Sequence, residues 1–337
     1  MIIIDENSLG KKNGNELRKN VVQYLPVGLF GSTVAYAGLA IALKQLAALY
    51  NFHTFYATAV AVLGWTVFVL LTIFYFIKFL LFPSAVREEL KHPVTGNFLG
   101  TFFISAVLLA GLAAPHSILF ARITWLAGTV GGLVFLCTLT SRLYKGALNV
   151  LDTVPPILIP GLTVLNAATS GDTMGFGWFG NKFDVILFSV GIAYVFVFFI
   201  VITYRLIHRS PVIEFLVPTL LLMSAPFTVG FICYLNIVSY IDLFGTVMFY
   251  FGFFVYAVLF FSVFKKGLHF MISWWGACFA TGALTNSAFR YAIVGQDVMV
   301  KFMATGLFVG LVLMIAVTSY LTINRLVTGK LLKPASE

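Results

Sequence analysis

The chain has 337 residues and a net charge of +9; 60% of its residues are hydrophobic and only 10% are charged, with a mean hydropathy of +1.00. An average soluble domain is about 25% charged, so this composition excludes a soluble globular protein and predicts a polytopic membrane protein. Nucleic-acid binding is not expected either, because the basic residues lie in short connections between apolar runs.

Ten apolar runs, taken in chain order, are read as membrane spans, for which a helix needs about 20 residues; the third and fifth runs are shorter than the others. They lie at 26–49, 54–81, 98–114, 117–141, 156–170, 184–204, 216–236, 241–264, 270–292 and 298–323. The predicted fold class is therefore an all-α integral membrane protein of ten transmembrane helices. It divides into an N-terminal segment over 1–25, a transmembrane domain over 26–325 and a C-terminal tail over 326–337.

The basic residues are distributed unevenly between the two sides of these helices. Sixteen of the 21 lie at the termini and in the even-numbered connections, and five lie on the other side. Because positively charged loops stay in the cytoplasm, both termini are predicted to be cytoplasmic, in a multi-pass protein of the inner or plasma membrane. Residues 1–25 lack an apolar core followed by a cleavage site, so no removable signal peptide is expected.

The odd-numbered helices recur at a spacing of about 60 residues, with starts near 26, 94, 156, 216 and 270. This repeat predicts five helical hairpins arranged around a central pore axis. Pro160 and Pro226 lie inside the fifth and seventh helices, where a proline removes a backbone hydrogen bond and kinks the helix. Their position favours an inner layer of bent odd-numbered helices, although prolines are common in membrane helices generally.

The acidic residues are informative because of where they are absent. All twelve fall in termini, connections or helix ends. Proton-driven pumps and cation pathways usually place a carboxylate within the bilayer, so this distribution argues against both. The five histidines are peripheral and the three cysteines lie in separate apolar runs. No enzyme active site, metal site or cofactor is therefore predicted.

One face of the ninth helix combines residues that are unusual in contact with lipid. Phe279, Ala283, Asn286 and Arg290 follow one another at steps of four, three and four, so they share a helix face. Such a face fits the wall of a pore. It also fits helix packing, with Phe279 as interhelical filler and Asn286 as an interhelical hydrogen bonder, and the periodicity leaves both interpretations open.

Several segments, in matching order through most of the chain, resemble the tellurite-resistance/dicarboxylate transporter family. They are LPVGLFGS at 25–32, REELKHPV at 87–94, ILIPGLTVLNAAT at 157–169, WWGACFATGALTNSA from Trp274 and TINRLVTGK at 322–330. That family includes the bacterial tellurite-resistance membrane protein and the plant slow anion channels. The resemblance implies five hairpins around a pore in each subunit, a homotrimer with three separate pores, and a pore-occluding phenylalanine that falls on Phe279.

The sequence also departs from the family pattern. Thr33 and Phe103 stand where family members often carry proline in the first and third helices, and Ala280 replaces a proline of the plant branch. Phe103 is therefore expected to line the pore and narrow it further.

We expect from this resemblance a channel-like conduit, within membrane lipid, for small inorganic or organic anions. Apolar and small residues with weak donors are expected to line the pore, since strong binding would slow exit. The expected lining residues are Phe103, Asn166, Thr281, Ala283, Thr285 and Asn286. The alternative is a secondary carrier that exports sulfite, malate or another C4-dicarboxylate. A membrane scaffold that transports nothing is the third interpretation.

Overall fold

The computed structural model describes residues 22–146, 148–264, 269–329 and 331–332. Within these ranges every regular element is a helix and none is a strand. Residues 1–21 of the predicted N-terminal segment, most of the predicted tail, and the basic pair Lys265 and Lys266 lie outside the described residues. The all-α, integral membrane class is confirmed for the part of the chain that the structure describes.

Ten of the eleven α-helices in these ranges coincide with the predicted apolar runs. They are α1 (Phe30–Tyr50), α2 (Phe55–Leu81), α3 (Gly100–Ala113), α4 (Ile118–Leu143), α5 (Ile159–Gly171), α6 (Gly177–His208), α7 (Ala225–Val238), α8 (Leu243–Phe264), α9 (Trp274–Gly295) and α10 (Val298–Val327). The remaining helix, Pro83–Lys91, is short and connects α2 to the region before α3.

Four odd-numbered helices are preceded by tighter 3-10 turns. These turns are Val27–Leu29, Thr95–Leu99, Pro155–Leu158 and Glu214–Ser224, before α1, α3, α5 and α7. Pro160 and Pro226 therefore lie at the second position of α5 and α7 and not deep inside an α-helix, which corrects their predicted placement. In the first turn a proline leaves no helical hydrogen bond unmade. Kinks at these two residues stay a prediction.

The odd-numbered helices begin at the same end of the molecule. Val94, Val154, Val212 and Leu216, which precede or begin the elements leading to α3, α5 and α7, form one buried apolar cluster. The Ser273 hydroxyl, just before α9, donates a hydrogen bond to the carbonyl of Phe215. Since their starts lie together, these helices run in the same direction, and the even-numbered helices return between them.

Burial separates the helices into two layers. In the most apolar 18-residue stretches of the spans that contain α1, α3 and α7, 67%, 67% and 83% of the residues are buried. The corresponding shares for α2, α4, α6, α8 and α10 are 17%, 28%, 22%, 28% and 22%. We call α1, α3, α5, α7 and α9 the inner helices and the other five the outer helices.

Eight of these helices, within the described ranges, are long and apolar enough to cross a membrane. The two exceptions are α5, which has only 13 residues, and α9, which carries Asn286, Arg290 and several small and hydroxyl residues. Both are buried along most of their length. The count of ten membrane crossings in five hairpins stays a prediction.

Asp184 contradicts the expectation that acidic residues lie only in connections and at helix ends. Because α6 begins at Gly177 and not near residue 184, Asp184 lies about two turns inside the helix. Its side chain is buried, and Oδ1 has no hydrogen-bond partner among the described residues. It packs against Gly171 at the end of α5, where a Cβ atom would lie 1.9 Å from Oδ1.

Lys78 is a charged residue of α2 that does not face outward. Its side chain is buried, and Nζ lies 2.6 Å from Oε2 of Glu89 in the short helix Pro83–Lys91. The same ammonium donates to the carbonyl of Leu25, and Glu89 Oε1 accepts from the backbone N–H of Val27. Through these contacts the ion pair connects the segment before α1 to the end of α2.

Candidate pore and its lining

A cavity of about 430 Å³ lies between the five inner helices. Every residue that lines it belongs to one of these helices or to the two positions directly after α5. On α1, α3, α5 and α7 the lining begins at Val34, Leu108, Asn166 and Val229 and continues toward the helix C-termini. The cavity therefore extends along the axis of the inner layer toward the end where these helices finish, which the charge distribution predicts to be the outer side.

The face predicted on α9 forms one wall of this cavity. Phe279, Ala283, Asn286 and Arg290 all line it, as their spacing along one helix face requires. Phe279 is 7% exposed and, with Cys278, begins the α9 part of the lining. Its ring therefore lies at the end of the cavity that is nearest the starts of the inner helices. Ala283, the next lining residue on this face after Phe279, is small and leaves the axis open.

The two predicted amides lie on the cavity wall, but in different settings. Asn166 Nδ2 donates to the carbonyl of Leu162, 2.7 Å away in its own helix. Asn286 Nδ2 donates across to the carbonyl of Gly38 on α1 at 3.0 Å, and its Oδ1 is buried without a partner among the described atoms. Asn286 therefore both joins two inner helices and contributes to the cavity wall, so the pore and packing interpretations are compatible at this residue.

Thr281 and Thr285, which were expected on the pore wall, face away from the cavity. They follow Phe279 by two and six residues, which is about 200° and 240° around a helix. The Thr281 hydroxyl lies 2.7 Å from the Tyr256 hydroxyl of α8. Thr285 donates to the carbonyl of Thr281. Both hydroxyls serve contacts within α9 or with its outer neighbours.

Phe103 does not line the cavity either. Its ring points toward α4, with centroids 5.9 Å from Phe135 and 5.3 Å from Phe102. Gly131 of α4 makes room for it, since a Cβ atom at that position would lie 2.4 Å from the Phe103 ring. The expected narrowing of the pore by Phe103 has no basis in this geometry.

The outer part of the cavity carries charge that the predicted pore lining did not include. Arg290 is half-buried, and its Nη2 donates to Oδ1 of Asn236 at 2.7 Å. Asn236 Nδ2 in turn donates to the carbonyl of Thr169 at 2.9 Å. Lys44 and Asp172 also line the cavity, and both are exposed. The cation at the end of the α9 face was visible in the sequence, whereas Asn236 could be found only from the packing of α7 against α5 and α9.

These features define an all-helical membrane protein whose inner helices enclose an axial cavity within one chain. In the comparison with known families, a family described as voltage-dependent anion channel (SLAC1) matches residues 24–323. The chain belongs to this family. The resemblance found in its short motifs is thereby confirmed.

Individual relatives are distant but cover most of the chain. The S-type anion channel SLAH2 of Arabidopsis thaliana is 26% identical over 293 residues, which is 83% of this chain and 55% of the relative. The chain thus spans about half the length of SLAH2. A tellurite resistance protein TehA homolog of Haemophilus influenzae is 25% identical over 302 residues, covering 87% of this chain and 90% of the relative. An uncharacterized transporter of Methanocaldococcus jannaschii is 26% identical, with 79% and 84% covered.

Proposed function

We propose that this protein conducts small anions passively across a cell membrane, along the axis between its five inner helices. The observation that carries the proposal is the cavity whose lining comes from all five inner helices of one chain and which ends at Phe279. Membership of an anion channel family supports the same function. In this proposal α5 and α9 cross the membrane with the other eight, shielded from lipid by the outer layer.

Phe279 is the proposed gate. Its ring stands where the cavity ends, next to the small residues Gly282 and Ala283. A constriction lined by apolar groups loses water and stops ions until the ring moves aside. Gly38 of α1 and Gly282 of α9 face each other, and a Cβ atom at either position would lie about 4.0 Å from the Cα atom of the other. Because neither residue has a side chain, α1 and α9 pack closely at this level.

The proposed orientation places both termini in the cytoplasm. Support comes from the basic residues Arg87, Lys91 and Arg142, which lie at the end where the inner helices begin. A fluorescent reporter fused after residue 337 should therefore report cytoplasm, and one inserted near Gly177 should report the outside. Opposite signals from these two fusions would show that the termini lie outside and that the cavity opens toward the cytoplasm.

The proposal includes a homotrimer in which each subunit keeps its own path. Its support is the resemblance to the family, together with the fact that one chain supplies the complete lining of the cavity. Cross-linking in native membranes should yield a species of three chains.

A proton-coupled carrier is the second candidate, because of Asp184. This buried carboxylate, inside α6 and next to Gly171, could exchange a proton during transport. It does not line the cavity, so an anion in the axial path would not contact it. This separation favours the channel, in which transport follows the electrochemical gradient of the anion alone.

Reconstitution into liposomes distinguishes the two candidates. A channel should give currents that follow the voltage and the anion gradient and persist when the proton gradient is collapsed. Asp184→Asn should leave these currents unchanged. If collapse of the proton gradient at fixed voltage abolishes transport, and Asp184→Asn does the same, the carrier is correct and the channel is refuted.

A further inference from the structure

Arg290 is the least exposed of the charged residues that line the cavity. Of the three charged residues on the wall, Lys44 and Asp172 are exposed whereas Arg290 is half-buried. It follows Phe279 by 11 residues on the same helix face, which is about 16 Å along the axis. An anion that enters from this end therefore passes Arg290 before it reaches the ring of Phe279.

The guanidinium of Arg290 is held by a neutral partner. Asn236 accepts its hydrogen bond and is itself fixed by donating to the carbonyl of Thr169. Within the described ranges no carboxylate lies within 4 Å of the guanidinium, so no direct ion pair neutralises its charge. A guanidinium has five N–H donors, and Asn236 uses one of them. The other four have no hydrogen-bond partner among the described residues, and Arg290 lines the cavity that an anion would enter.

We infer that Arg290 recruits anions at the outer mouth of the cavity, and that Asn236 is a positioning residue that fixes its guanidinium. The inference rests on the proposed function, because it assigns a role within the same path. Arg290 sets the affinity for anions and their preference over cations, whereas Phe279 sets the maximal conductance. A single partly exposed cation, with Asp172 on the same wall, binds an anion weakly enough to release it toward the gate.

Asn236→Asp is the most informative variant, because it places a carboxylate against the guanidinium with almost no change in side-chain size. We expect the chloride conductance at about 10 mM potassium chloride, where screening is weak, to fall by about threefold. The conductance at saturating chloride should stay close to that of the parent. In a potassium chloride gradient the reversal potential should move away from the chloride value.

Three further variants provide the controls. Arg290→Gln should reproduce the effect of Asn236→Asp, and Arg290→Lys should preserve most of the low-chloride conductance because it keeps the charge. Lys44→Gln removes an exposed cation from the same wall and should have a smaller effect, because water screens its charge. Each variant is measured in planar bilayers after its assembly is checked by size-exclusion chromatography.

Two different failures can be told apart. If Asn236→Asp and Arg290→Gln assemble and keep the parent's concentration dependence and reversal potential, Arg290 does not recruit anions. Equal loss of conductance at all chloride concentrations would indicate a structural role and would also overturn the inference. If Arg290→Gln does not fold, Asn236→Asp and Arg290→Lys decide between these outcomes. Absence of chloride current in both the parent and Phe279→Ala would instead refute the proposed function.

Discussion

The inner and outer helices of this protein lie in different environments, the first against other helices and the second at the outside of the molecule. The inner helices α1, α3 and α7 bury most of their most apolar stretch, whereas the outer helices bury less than a third of theirs. The outer helices need apolar side chains at nearly every position because lipid offers no hydrogen bonds. The inner helices are shielded by them and can carry amides, hydroxyls and a guanidinium.

This difference explains why the cavity lies where a hydropathy criterion is least effective. α9 contributes Phe279, Ala283, Asn286 and Arg290 to the wall, yet it is one of the two helices that are not apolar enough or long enough to be recognised as spans. A helix that is enclosed by other helices is stabilised by packing against them, so its side chains need not be apolar enough to enter lipid. A hydropathy threshold alone therefore misses α9, although the spacing of its residues already indicates the face that lines the cavity.

Lys78→Met provides the largest expected effect and tests a buried charge on an outer helix. Removing the ammonium leaves Glu89 in a mostly buried site without its ionic partner, which should cost about 3–5 kcal/mol in the free energy of unfolding. The double variant Lys78→Met/Glu89→Gln should cost less than Lys78→Met alone, because no charge is then left unpaired. Lys44→Met, at an exposed lysine, is the control. Thermal unfolding in detergent measures all three, and equal melting temperatures for Lys78→Met and Lys44→Met would contradict the buried role.

A pair of glycine substitutions compares the two layers directly. A Cβ atom at Gly161 of α5 would lie 2.5 Å from the Tyr194 ring and 2.7 Å from a Val195 methyl group of α6. Because neither neighbour can move easily, Gly161→Ala should destabilise by about 1–3 kcal/mol. Gly306 of α10 has no atom within 4 Å of such a Cβ, so Gly306→Ala should be neutral or stabilise by about 0.5–1 kcal/mol. Melting temperatures that change in the same direction would break the distinction between the layers.

Phe279→Ala tests whether Phe279 is the gate, and the same substitution at a lipid-facing ring is the control. If Phe279 closes the axis, the smaller side chain should raise the conductance by about tenfold, which is about 1.4 kcal/mol in the barrier. Phe302→Ala, at a ring that is 69% exposed on α10, should leave the conductance unchanged. If Phe279 only fills space between helices, Phe279→Ala would instead leave a cavity that costs about 3–5 kcal/mol of stability, with no gain in current. A stable Phe279→Ala protein that conducts like its parent would exclude the gate.

The smallest expected effect lies at the start of an outer helix, outside the membrane. The backbone N–H of Gly245, and then the Tyr234 hydroxyl, hold the pKa of Asp242 below its usual value. A lowered pKa in the folded state means that the contribution of Asp242 to stability is present at neutral pH and is lost as the pH falls through that pKa, below about pH 4. Asp242→Asn should lower the melting temperature slightly at pH 7 and reduce its loss toward pH 3. An unchanged acid profile would show that Asp242 is not responsible for it.

Much of the architecture could be predicted from the composition and spacing of residues within single helices. Each outer helix follows from an apolar run of bilayer length, and the shared face of Phe279, Ala283, Asn286 and Arg290 follows from helical spacing alone. These inferences succeeded because they depend on local periodicity. The alternatives at Asn286, pore wall or helix contact, could not be separated in the same way, because that choice depends on where Gly38 of α1 lies.

The tertiary structure decided which side of each helix faces the axis. Thr281 and Thr285 were expected on the pore wall but face the opposite side of α9, and Phe103 fills a space that Gly131 leaves on α4. Asp184 was expected at a helix end but is buried, since Gly171 leaves room for its carboxylate. The sequence by itself determined the class of the protein and the polar face of α9, because both depend on composition and local spacing. The direction of a side chain in an inner helix depends on the residues that surround it, and only the packing of the helices brings those together.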